Sequence, residues 1–229
     1  MKAQIIYVKG HSGSEAQSLE ALESFSKLGW DAERIEGITP ETLNESDFPY
    51  PDMIGSRMAD FKSEGGRLYY IKKACVFNNL KFAQRVVEAD QPIAFIEHDA
   101  LAVEAPNDHW DFDEFLFLSY EHAFKAPSPL NILQYKQYRP KGVQGVNSFP
   151  RDYPVRYYHN SLYKGAFMTP GTAAYVLTPV GAQLLLNAVA KHGIEQSDYL
   201  INSFNLNLQY VWPSPVKYNI LNLNLSHKL

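Results

Sequence analysis

The sequence predicts an α/β domain, a mixed sheet flanked by helices, interrupted by one irregular excursion. Three observations predict it. The chain opens strand, helix, strand, the layout of a parallel sheet covered by helices. The run Ile93-Ala94-Phe95-Ile96 is continuously apolar, as a strand buried on both faces must be. A late apolar run, Ala173-Ala174-Tyr175-Val176-Leu177, passes directly into a well-punctuated helix. With 229 residues and 45% hydrophobic content, the chain suits a single domain with a sizeable core.

The elements follow in order. Residues 4–8 form the first strand, which breaks at the turn Lys9-Gly10-His11-Ser12-Gly13. Ser14 and Gln17 have capping-box spacing, and Leu19, Leu22, Phe25 and Leu28 recur at near-helical intervals until Gly29 ends the helix. Arg34-Ile35-Glu36-Gly37-Ile38 reads as a second short strand. Residues 40–66, rich in Pro, Asp, Ser and Gly, read as a loop with at most one short helix. Cys75, Val76, Leu80, Ala83 and Val87 place a helix between Tyr69 and Ala89. Pro92 then introduces the strand 93–96, which runs into Glu97-His98-Asp99, and Phe115-Leu116-Phe117-Leu118 is another strand of the same kind. Residues 126–165 contain Pro127, Pro129, Pro140, Pro150 and Pro154 without a clear period, too long a stretch for a simple connection. Thr178 as N-cap and Pro179 at the first helical position start a helix that stops at Gly193. From Leu206 on, Asn alternates with Leu in what reads as short strands.

Charge is unevenly spread. The net charge is −4, and within residues 1–122 acids outnumber bases two to one. Residues 123–165 reverse this, with Lys125, Lys136, Arg139, Lys141, Arg151, Arg156 and Lys164 against Asp152 alone, among many tyrosines. Such a segment can stack sugars or bases and hold phosphates, or it can be a surface excursion whose tyrosines pack locally. The single cysteine, Cys75, excludes an intramolecular disulfide framework and a zinc finger. No apolar run reaches the length of a membrane span, and the opening strand lacks the layout of a signal peptide, so a cytoplasmic home is expected. The Lys9–Gly13 turn matches neither a Gly-x-Gly-x-x-Gly fingerprint nor a P-loop, which sets dehydrogenase and NTPase readings aside.

The strongest chemical signal is the acidic pair that closes a buried strand. In open α/β sheets ligands bind beyond the carboxyl ends of strands, where Glu97 and Asp99 stand. Two acids two residues apart on an extended chain point to one side and can share a hard cation. The plainer reading is an N-cap or a solvated strand end. Val8, Lys9 and Gly10, at the end of the first strand, can likewise offer backbone groups to a nucleotide or simply form a tight turn.

The order of segments resembles glycosyltransferase family 25, the group of bacterial lipopolysaccharide transferases and collagen galactosyltransferases. That family opens with a strand, a helix ending Leu-Gly and a strand containing Arg-Ile-x-Gly, as in residues 5–8, Leu28-Gly29 and Arg34-Ile35-Glu36-Gly37 here. Its Gly-Cys-x-Leu-Ser-His corresponds to Ala74-Cys75-Val76-Phe77-Asn78-Asn79, and its Glu-Asp-Asp-Val to Glu97-His98-Asp99-Ala100. Its Gly-Thr-x-x-Tyr-x-x-Ser-x-x-Gly-Ala is matched by residues 171–182, from Gly171-Thr172 to Gly181-Ala182, with Thr178 at the Ser position. Asp198 falls where the family has Val-Asp-x-x-Leu. Two departures stand out: Asn78-Asn79 replaces Ser-His, and His98 replaces the middle acid.

The resemblance implies a GT-A-like, Rossmann-type fold and an inverting hexosyltransferase that uses a nucleotide-diphosphate sugar, galactose or glucose being the expected hexose. It implies Mn²⁺ or Mg²⁺ on Glu97 and Asp99, and donor contacts from Val8, Lys9, Gly10, Asn78, Asn79 and Glu97. Gly171 and Thr172 would meet the acceptor, and Asp198 would be the catalytic base. Residues 1–122 would then form the nucleotide-sugar half, 123–165 a basic aromatic flap and 166–229 the acceptor half. The expected acceptor is a glycan or lipid-linked saccharide. A catalytically inactive sugar- or nucleotide-binding module, and a transferase acting on modified nucleic acid, stay open beside it.

Overall fold

The computed structural model describes residues 1–120, 142–149, 162–163, 166 and 171–219. β1 (Lys2–Tyr7) sends Ala3 and Ile5 to one face and Ile6 to the other, so both faces need cover. α1 (Ser12–Lys27) covers the first with Ala21 and Phe25, and Trp30 just beyond it meets Phe25 edge-on at 5.2 Å. Its cap differs from the expected one. Ser14 lies inside the helix, and the His11 imidazole accepts its N–H through Nδ1 at 3.1 Å. The Ser14 hydroxyl instead accepts the N–H of Val8 at 2.9 Å, which pins the strand end to the helix. Gly29 follows the helix at φ 83°, the left-handed conformation that its place required.

β2 (Asp31–Glu36) begins ahead of the expected Arg34 because it pairs in parallel with β1 from Lys2 onward. Residues 40–66 carry a 3₁₀ turn (Glu45–Asp47) and α2 (Ser56–Glu64), slightly more helix than their composition suggests. The first turn of α2 is capped from a distance. The carboxylate of Glu195, fully buried, accepts the N–H of Met58 at 3.1 Å, and Gly55 leaves the space that it fills. α3 (Arg67–Ala89) then crosses the opposite face of the sheet and delivers the chain to β3 (Ile93–Glu97).

β3 pairs in parallel with β1 on the side away from β2, so the direction of sheet growth reverses between β1 and β3. At such a switch point the connections leave in opposite directions and open a crevice above the carboxyl ends of the strands. Then come β4 (Ala100–Ala102), β5 (Phe115–Phe117), β6 (Gly145–Ser148), β7 (Ala174–Leu177), α4 (Pro179–His192), α5 (Ser197–Leu200), β8 (Leu208–Trp212) and β9 (Val216–Tyr218). The main sheet has the order β2-β1-β3-β7-β5-β8-β6, while β4 and β9 form a separate antiparallel pair. The mixed α/β sheet flanked by helices is the expected one.

Two strands run against the rest. β7 is antiparallel to both of its neighbours, β3 and β5, and β6 is antiparallel to β8. The beginning of β7 therefore lies beside the end of β3, and the Glu97 N–H donates to the Ala173 carbonyl at 2.8 Å. The α3 face of the sheet is filled with aromatics: Phe95 stacks on Tyr175 at 5.0 Å, and Phe82 meets both edge-on. Each such side chain contributes about 1.5–3 kcal/mol through burial, so this stack anchors the strands that carry the site. Strands from residues 1–122 and from 171–219 interleave in one sheet, so the two expected halves share a core.

Of the 123–165 excursion, Phe149 and Tyr163 are described, and both are buried. Phe149 packs edge-on against Tyr120 at 5.0 Å and against Tyr210 at 5.4 Å. The seven basic residues named above lie outside the described residues, as do positions 220–229 of the tail. Among the described residues no helix is long and apolar enough to cross a membrane.

Candidate functional site

Alternation along β3 sends Ala94 and Ile96 toward α1 and Ile93 and Phe95 toward α3, so Glu97 falls on the α3 side. The chain does not stay extended after it. His98 and Asp99 form a turn that carries the backbone out of the main sheet into β4, and Asp99 is drawn inward. Asp99 is 4% exposed, and its carbonyl accepts the N–H of Asn219 at 2.7 Å. Its Oδ1 is buried and has no hydrogen-bond partner among the described residues. An orphaned buried carboxylate oxygen needs an explanation, and a ligand bound at this point is one.

The short helix α5 brings Asp198 to the same place from the far end of the chain. Thr172, just before β7, joins the two: its Oγ1 lies 3.2 Å from Glu97 Oε1 and 3.3 Å from Asp198 Oδ1. Burial first, and then the charges of Asp99 and Asp198, push the Glu97 carboxyl up to about 8, against the opposing pull of Thr172 and Lys72. Glu97 thus keeps its proton at neutral pH and can donate to Thr172, which leaves the threonine hydroxyl free to donate to Asp198. Three acids in one crevice relieve their repulsion by holding either a proton or a cation.

Among the described residues no three His, Cys, Asp or Glu side chains stand close enough to form a ready metal cage. A divalent ion that shares its coordination with a diphosphate and water needs only one or two protein carboxylates. Glu97 and Asp99 present that donor set, and the partnerless Asp99 Oδ1 fits it. His98 is held neutral by burial, opposed by Asp99, with His11 across from it lowering it further. A neutral imidazole there is a nitrogen ligand or a hydrogen-bond donor.

The other expected donor residues are tied into the fold. Asn78 clamps the end of β2: its Oδ1 accepts the Ile38 N–H at 2.7 Å, and its Nδ2 donates to the carbonyls of Ile38 and Ala74. Asn79 is buried, donates to the Cys75 carbonyl and to Ser197 Oγ (3.3 Å), and accepts the Tyr175 hydroxyl at 2.5 Å. It therefore holds α5, and with it Asp198, against the sheet. Val8 donates to Ser14, Gly10 donates to Glu15 Oε1 at 2.9 Å, and Lys9 pairs with Glu36 at 3.0 Å. Gly171 and Thr172 do lie at the acidic cluster.

Three further residues reach this crevice without a sequence motif to announce them. Lys72 and Cys75, on α3, are within electrostatic reach of Glu97. Cys75 is exposed, and the protein packed around its thiol pushes it up to about 11. Tyr218, from β9, is the third. It pairs with Ala100 across the small sheet, and its phenol is pushed well above its ordinary value by burial and by Glu97, Asp198 and Asp99. Only the tertiary pairing of β9 with β4 brings it here.

No protein-family model matches this chain, and no curated protein matches it. Among solved structures the chain is similar to the crystal structure of mouse xyloside xylosyltransferase 1 in its apo form. The two share 11% sequence identity over 87% of this chain and 79% of that one, with a TM-score of 0.41. A likeness that loose decides neither family nor activity, and any functional reading rests on the residues of the crevice.

Proposed function

We propose that this chain is a metal-dependent, inverting glycosyltransferase that moves a hexose from a nucleotide-diphosphate sugar to a hydroxyl of a saccharide acceptor. The observation that carries the reading is the convergence of Glu97, Asp99 and Asp198 above the switch point between β1 and β3. The sequence resemblance to glycosyltransferase family 25, carried in part by these same residues, agrees with it.

In this reading the donor lies across the carboxyl ends of β1 and β3, with Val8, Lys9 and Gly10 as one wall and Glu97 and Asp99 as the other. Glu97 and Asp99 would hold Mn²⁺ or Mg²⁺, which would supply positive charge to the departing diphosphate. Asp198 takes the proton of the acceptor hydroxyl while that oxygen attacks the anomeric carbon opposite the leaving group. The new glycosidic bond forms as the bond to the diphosphate breaks, with inversion. Thr172, shared between Glu97 and Asp198, aims the base, and Asn79 fixes the helix that carries it. A module that binds a nucleotide sugar without turning it over is the second reading, favoured by His98 in place of a third acid.

The test is release of nucleoside diphosphate from UDP-glucose and UDP-galactose, with Mn²⁺ or with chelator. Metal-dependent release that Asp99→Asn abolishes supports the transferase. Binding of either donor without release, with or without acceptor sugars, selects the binding module. Release by Asp99→Asn at the wild-type rate removes the metal site from the mechanism.

A further inference from the structure

Tyr218 occupies a position in the crevice that the proposed transfer step leaves idle. It lies opposite Ala100, the residue after Asp99, in the β4–β9 pair, and Asn219 beside it binds the Asp99 carbonyl. Its hydroxyl comes so near Gly171 that a methyl group added there would stand 3.0 Å from it. Gly171 precedes Thr172, which touches both Glu97 and Asp198. The phenol is only partly exposed and has no hydrogen-bond partner among the described residues. A phenol facing carboxylates at neutral pH is a proton-bearing donor, not a base. Fixed in a small sheet and pointed at the cluster, such a donor is placed to meet an oxygen of a bound molecule.

Resting on the transferase reading and on Asp198 as its base, we propose that Tyr218 is an acceptor-specificity residue: its O–H donates to a hydroxyl adjacent to the one that Asp198 deprotonates. The acceptor would thus be a saccharide with neighbouring hydroxyls, and Gly171 is a glycine so that the phenol can reach it. A site built to hydrogen-bond a substrate hydroxyl rejects the analogue that lacks it, because the protein donor is then left unpaired. The contact orients the acceptor ring and takes no part in breaking the donor bond.

The experiment compares wild type, Tyr218→Phe, Gly171→Ala and the double variant, using UDP-galactose or UDP-glucose with Mn²⁺ and methyl β-glycosides as acceptor probes. Tyr218→Phe should keep acceptor-free donor hydrolysis within about twofold, while kcat/KM for transfer falls about 10–100-fold, the span of one substrate-directed hydrogen bond. Gly171→Ala alone should lose transfer to a similar degree, and adding it to Tyr218→Phe should lower transfer little further. With the vicinal deoxy acceptor, wild type and Tyr218→Phe should converge. Transfer unchanged in Tyr218→Phe, or hydrolysis and transfer falling together, overturns the assignment.

Calorimetric titration of the same glycosides into protein loaded with UDP and Mn²⁺ reads the contact without turnover. Weaker binding by Tyr218→Phe supports it, whereas equal affinity, or no binding to wild type, overturns it. Wild type that binds the glycoside but releases no nucleotide would overturn the transferase reading and leave the Tyr218 contact standing.

Discussion

The two walls of the crevice treat their polar groups in opposite ways. On the β1 side, Val8 and Gly10 give their N–H groups to Ser14 and Glu15, Lys9 is paired with Glu36, and His11 caps α1. Every one of these contacts is made within the fold. On the β3 side Glu97 is forced toward its protonated form, and among the described residues Asp99 keeps a buried oxygen without a partner and Tyr218 faces the cluster with its hydroxyl unbonded. The Gln17 amide on α1 and the Ser119 hydroxyl are also buried without partners among the described residues, so an orphaned group alone does not mark a site; on the β3 side it coincides with three converging acids. The difference teaches where to look for chemistry: in the proposed transferase the β1 wall would shape the crevice and the β3 wall would act.

Substitutions should therefore separate stability from turnover in opposite directions on the two walls. The largest effect is expected at Asp198, where Asn should lower transfer by about 10²–10⁴-fold, the usual contribution of a general base, without loss of melting temperature. A variant that turns over normally would reduce Asp198 to a polar neighbour of Thr172. Next comes Glu97. Its folded-state value of about 8 lies above the unfolded value of about 4.3, so the folded state holds an extra proton between them. The stabilisation this gives is complete below pH ~4.3 and is lost as pH rises through 8. In chelator, Glu97→Gln should escape that loss and be more stable than wild type at pH 8.5, by an amount on the order of a few kcal/mol, since each pKa unit is about 1.4 kcal/mol. Parallel denaturation curves at pH 6 and 8.5 would place Glu97 in water and dissolve the contrast. Asn79 works the other way. Asn79→Ala strands the buried Tyr175 hydroxyl and releases Ser197, and it should cost about 1–3 kcal/mol in urea denaturation.

The legible parts of the sequence were those whose cause is local. Thr178, Pro179 and Gly193 marked α4 to the residue because a cap, a fixed φ and a terminating glycine act within one turn. The β3 run and the acids at its end were legible because burial on both faces leaves an unbroken apolar pattern. Ser14 and Gln17 have capping-box spacing, yet His11 caps α1, since spacing alone cannot tell a hydroxyl that caps its own helix from one that ties down the preceding strand. The direction of β7 was not written in its residues: an apolar run fits a buried strand of either sense. β6 was hidden in a stretch without period, and it exists because β8 offers it an edge. Asn78 and Asn79 matched a motif position, but their partners, Ile38 and Ser197, are set by tertiary packing. Tyr218 had no local signal at all.

The smallest expected effect bears most directly on the satisfied wall. Glu15 lies in the first turn of α1, and its carboxylate takes the Gly10 N–H where an anionic ligand at this helix start would sit. If the nucleotide diphosphate lies against Lys9 and Gly10, Glu15 repels it and competes for that N–H. Glu15→Ala should then cost the free protein a few tenths of a kcal/mol to about 1 kcal/mol, as removal of an acid from a helix N-terminus does. The same change should tighten UDP-galactose or UDP-glucose binding by about two- to fivefold, the equivalent of that energy returned to the ligand. Calorimetry on the two proteins reads both sides, one from the melting temperature and one from the dissociation constant. Lower stability with unchanged donor affinity would take the Lys9–Gly10 turn out of the donor site. The contrast between the walls would then be complete, with every donor contact on the β3 side.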